Sequence, residues 1–176
     1  MWLKSASIVG VALAVSSCAL LCQTPPTPLS DAAWRGDVTT VRRLVAEGAD
    51  INELSGTPLM LAARGGHPIG PHRCGTEDPS RPAVIAALLE LGANPNQRDG
   101  RPRTPGGSSG WTALFVALHH RQFKTASVLL EHGADPTLKS DQGMSVMEMA
   151  KVEGAPGELL NLIEQKSLVT HEGMKK

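Results

Sequence analysis

The chain has 176 residues, enough for one domain with a modest shared core. Its 17 basic and 17 acidic residues cancel, which argues against a general nucleic-acid binder. With two Phe, three Trp and no Tyr, it also has few faces on which bases could stack.

Residues 1 to 22 read MWLKSASIVGVALAVSSCALLC. Lys4 precedes an apolar run, Ile8 to Val15, that is too short for a confident spanning helix, and small residues follow. That is the layout of a secretory signal over residues 1–17. Val15-Ser16-Ser17-Cys18 resembles a bacterial lipobox, in which the Cys is lipidated and becomes the new N-terminus. Cleavage near Ala14 or Ala19, or retention as an anchor, are the alternatives. Ala19 rather than Asp after the Cys fits sorting to the outer membrane, with the domain facing the periplasm. Removing residues 1–17 takes away only Lys4, so a mature chain is near −1. Residues 18–28 end in Gln23-Thr24-Pro25-Pro26-Thr27-Pro28 and suit a stiff, extended tether. Cys22 and Cys74 could pair in an oxidising compartment; free thiols, or pairing with another chain, stay open.

A repeated pattern occupies residues 29–166. In the first unit, 29–54, Ser30-Asp31 opens a helix that Arg35-Gly36-Asp37 ends. Val38, Val41, Leu44 and Val45 then form an apolar stripe. Asp31, Arg35, Arg42, Arg43 and Glu47 give this first unit a polar outer face. The second unit, 55–98, opens at Thr57-Pro58, with Pro58 in a first-turn position. Its two helices are separated by an insertion, 69–82, IGPHRCGTEDPSRP, which is a loop by composition. A second insertion, 97–109, reads QRDGRPRTPGGSS.

The third unit, 110–139, is the clearest. Thr112 is placed to cap a helix carrying Leu114, Ala117 and Leu118. A break at Gln122 to Thr125 precedes Ala126, Val128, Leu129 and Leu130, and Gly133 and Pro136 end the second helix. The fourth unit, 143–166, is degenerate. Met147, Met149, Leu159, Leu162 and Ile163 are expected to cover the end of the stack, and 167–176 reads as a flexible tail. Helices of about eleven residues cannot bury their stripes alone, so the units must pack side by side.

The same turn recurs three times, as Gly48-Ala49-Asp50, Gly92-Ala93-Asn94 and Gly133-Ala134-Asp135, each after a Leu/Val pair. Upstream, Thr57-Pro58-Leu59 matches Thr112-Ala113-Leu114 and, more weakly, Ser145-Val146-Met147. These features in fixed order resemble the ankyrin-repeat family. The His that usually follows the T-P-L is Met60, Phe115 or Glu148 here, so its hydrogen bond is missing. The resemblance implies an all-α solenoid of about four helix-turn-helix repeats with finger loops.

It also implies a non-catalytic, monomeric protein-binding module without a cofactor, using inner helices and finger tips. On that placement the candidate contacts are Arg98, Arg101, Arg103, Trp111, Phe115, His119 and His120, with Arg64 and Glu53 behind them. Met60 and Val116 lie towards the same face. Arginine forks suit an acidic partner surface. Relatives of this type imply either a periplasmic scaffold or peroxide-stress factor, or an immunity protein that neutralises a secreted toxin. No nucleophile elbow or phosphate-cradling loop occurs. His67, His72 and Cys74 lack a matching fourth ligand, so no metal site is assigned.

Overall fold

The computed structural model describes residues 27–53, 58–65, 79–99 and 110–173. The signal segment, Cys18, Cys22, His67, His72, Cys74, Arg101 and Arg103 lie outside them. Eight helices follow one another within the described residues: α1 Pro28–Arg35, α2 Val38–Ala46, α3 Pro58–Arg64, α4 Arg81–Glu90, α5 Ala113–His119, α6 Phe123–Glu131, α7 Val146–Val152 and α8 Gly157–Gly173. The odd-numbered helices pack side by side as an inner row, and the even-numbered ones as an outer row behind it. The first seven are shorter than the expected length, so none can bury a stripe by itself. Among the described residues none is long and apolar enough to cross a membrane.

Small residues set the spacing of the inner row. Ala32, Ala62, Ala117 and Ala150 stand five residues after the cap position of each repeat, and all four are buried. Their missing side-chain bulk lets neighbouring helices approach closely. Larger side chains, Val41, Leu88, Leu129 and Ile163, fill the space behind, each with no exposed surface. The core is therefore one continuous strip running through every repeat.

The Gly-Ala turns close the outer helices by identical geometry. Gly48, Gly92 and Gly133 have φ between 88 and 97°. The amides of Ala49, Ala93 and Ala134 reach back to the carbonyls of Leu44, Leu88 and Leu129 at 2.9–3.0 Å. Each turn thus satisfies carbonyls that the helix end would leave unpaired. Two asparagines then join the turns. Asn52 accepts from the Asn94 amide at 2.8 Å and donates to the Gly92 carbonyl at 3.3 Å. Asn96 makes the same pair of bonds to Asp135 and Gly133, at 2.7 and 3.2 Å.

Several boundaries differ from expectation. Thr27 and Pro28 belong to the fold and not to the tether, because Thr27 caps α1 by accepting from the Ser30 amide and Pro28 begins the helix. The first repeat therefore has its own Thr-Pro-Leu start. The segment 79–82 is not all loop, since α4 starts at Arg81. Thr112 takes the cap position of α5 in extended conformation, but its hydroxyl makes no capping bond. The break after α5 is also shorter, because α6 begins at Phe123. At α7, Ser145 and Glu148 form a reciprocal capping box, so Glu148 supplies a turn contact where the family His is missing. Arg42 is exposed on the outer face as expected, and there it pairs with Glu90 of the next repeat at 2.8 Å.

The tail expected at 167–176 is helical as far as Gly173. No Gly or Pro interrupts 158–172, and Ser167 and Thr170 bond back to the carbonyls of Ile163 and Lys166. Beyond the repeat, Leu168 and Val169 of this extension are 62 and 66% exposed.

Candidate functional site

The side of the inner helices that faces away from the outer row carries the chemistry. Counted from the cap residue, the seventh positions are Trp34, Arg64, His119 and Val152. Arg64, His119 and Val152 are exposed, whereas the residues two positions earlier in each repeat are the buried alanines. Helical geometry explains the contrast, since those two positions point to nearly opposite sides.

Trp111 stands just before α5 and is held by its backbone. Its amide donates to the Asp99 carboxylate and its carbonyl accepts from the Asp99 amide, both at 2.9 Å. The half-buried indole meets His119 edge-on at 5.0 Å between centroids and lies against Phe115 at 6.3 Å. His119 Nδ1 lies 3.1 Å from Glu153 Oε1, which ties α5 to the end of α7. The neighbouring His120 ring is edge-on to His119 at 5.2 Å. Burial, and then the nearby His119 and Arg64, push the His120 pKa down to about 4, so this ring is neutral at pH 7.

The other candidates divide. Arg98 faces Asp141 of the following finger at 3.5 Å, so the carboxylate it meets is the chain's own. Such an exposed pair adds little stability. Phe115 has no exposed surface, which removes it as a contact residue. It is the third residue after the cap, a position at which Ser30 and Met60 are buried too. Glu53 accepts bonds from the hydroxyls of Thr27 and Ser30, and so serves the start of α1. Val116 is half-buried in the same row. Arg101 and Arg103 are not among the described residues. Of the described residues that flank the two insertions, Gly65 follows the end of α3, whereas Asp99 and Trp111 are paired before the start of α5.

Two arginines escaped notice in the sequence. Arg81 is fully buried and donates to the carbonyls of Ala33 and Trp34, at the end of α1. The guanidinium is thus held by the negative end of a helix in the preceding repeat. Its place among loop-like residues gave no signal of this. Arg121 takes a left-handed backbone, φ 57°, where the first and last repeats place Gly36 and Gly154. That conformation costs about 1–2 kcal/mol for a residue with a Cβ. Here a signal existed: Arg stands where the repeat pattern wants Gly.

The family model for ankyrin repeats matches residues 29–140 in three copies. The chain is 31% identical over 150 residues to a protein of Treponema pallidum (strain Nichols) named for its ankyrin repeats, covering 85% of this chain and 44% of that one. It is 32% identical over 122 residues to a protein of Oryza sativa subsp. japonica named as an E3 ubiquitin-protein ligase, covering 68 and 20%. A mitochondrial disaggregase of Bos taurus is 27% identical over 169 residues, covering 78 and 23%. The chain spans less than half the length of each of these relatives. The stacked helical hairpins, their shared turns and these matches show that the chain belongs to the ankyrin-repeat family, a protein-interaction module.

Proposed function

We propose that this chain is a non-catalytic docking protein, held at the outer membrane of a bacterium by a lipid on Cys18 and facing the periplasm. There it binds a protein partner through its inner helices and fingers, as a scaffold or stress-protective factor. The observation that supports docking is that, among the described residues, Arg64 and His119 of the inner helices are exposed beside the half-buried Trp111. These side chains are not needed to fill the core. The export reading rests on Lys4, the apolar run to Val15 and the Ser-Ser-Cys that follows.

Two experiments test the two halves. Fractionation with lipid labelling should find the wild-type chain in the membrane fraction and labelled, and Cys18→Ala unlabelled. Identical behaviour of the two would remove the anchor. Capture of a partner from envelope extract should be lost on Trp111→Ala while the melting curve stays cooperative. Capture unaffected by that change would exclude this face. A single, tightly held toxin as the captured partner would reassign the role to immunity.

A further inference from the structure

Three features meet where α5 turns into α6. First, Arg121 keeps a left-handed backbone that Gly would adopt without strain, and its side chain is exposed. A strained residue that fills no core is a sign of use. Second, among the described residues neither Arg121 nor Arg64 has a carboxylate within ion-pair reach. Third, the two ends adjoin. A Cβ on Gly65, next to Arg64, would stand 3.1 Å from the Gln122 side chain, next to Arg121. A Cβ on Gly154 would lie 3.5 Å from Arg121 Nη2, so the guanidinium spans towards the α7 turn. Glu153, the residue before Gly154, is already engaged by His119 at 3.1 Å. Trp111 adds an apolar flank 5.0 Å from that ring.

We propose that this basic corner docks an acidic peptide segment of the partner. Arg64 and Arg121 fork-bond its carboxylates, and Trp111 with His119 packs its backbone. The proposal rests on the docking role above and gives the partner its chemistry. Polyanions such as nucleic acid suit it less, since the chain as a whole is neutral and offers no long-range field.

The test is fluorescence anisotropy of a labelled oligoglutamate with the full chain at low ionic strength. Arg121→Gly and Arg64→Gln should each weaken binding about tenfold or more. Arg43→Gln, which removes the same charge from the outer row, should stay within about twofold. Arg121→Gly should melt no lower than wild type, which separates lost contact from lost fold. No binding by wild type, no loss in either variant, or equal loss in Arg43→Gln overturns the proposal. So does tighter binding to phosphatidylglycerol vesicles or to a single-stranded DNA oligomer. Partner capture that still depends on Trp111 after such a result would leave the docking role standing.

Discussion

Arg121 and His120 are adjacent and both are held in costly states, one of backbone and one of solvation. Replacing Arg121 by Gly relieves about 1–2 kcal/mol of strain and adds about 0.5–1 kcal/mol of unfolded-chain freedom. The expected result is a chain as stable as wild type or up to about 1.5 kcal/mol more so, read from urea midpoints. A clear loss would mean that the side chain holds the turn together. For His120, the folded pKa of about 4 lies below the unfolded value near 6.5. Between those values only the unfolded state takes the proton, so stability falls as pH falls. The slope is at most about 1.4 kcal/mol per pH unit. Urea titrations of His120→Gln should lose that slope; an unchanged profile would assign it elsewhere. At this scale the sequence was partly readable. The Arg in place of Gly could be seen, while the burial of Phe115 and His120 depends on which way each repeat's third and eighth positions turn.

Helices here are too short to persist through propensity, so their ends decide them. Ser145→Ala should cost about 1 kcal/mol by removing half of the α7 capping box. Arg81→Met should cost about 2 kcal/mol or more, because the carbonyls of Ala33 and Trp34 would be left without their buried donor. Thermal or urea melts check both, and a neutral Arg81→Met would show that those carbonyls find water instead. The Thr or Ser starts and the three Gly-Ala ends made the hairpins legible, though not all of their boundaries. Thr27 and Pro28 read as tether because they follow Pro25 and Pro26 in one polar, Pro-rich run. The start of α4 was hidden similarly, since Arg81-Pro82 continues a loop-like composition and helical status comes from Arg81's contact with α1. At α8 the expected tail was a matter of where the repeat pattern stops, and the helix simply has no breaker until Gly173.

At the scale of the molecule, the main helix contacts among the described residues run within a repeat or to the next one, through the alanine row, the outer leucines and the asparagine bridges. Stability is then a sum of repeats and interfaces, so one weakened interface should split the transition. Leu129→Ala, in the filled outer row, should cost about 2–5 kcal/mol. Asn96→Ala removes both bridges between the second and third repeats and should broaden the melt more than it lowers the midpoint. The solenoid and its order of repeats were legible because the turn motif recurs at fixed places. The resemblance already placed the contact face on the inner helices, while which of its residues are exposed, Arg64 and His119 but not Phe115, followed only from the structure. The most direct measurement of the central claim is site-specific photo-crosslinking in the native host, with the probe at position 119 or at position 43. A single discrete adduct from position 119 and none from position 43 is the predicted result. An adduct from position 43 alone, or none from either, would contradict docking on the inner-helix face.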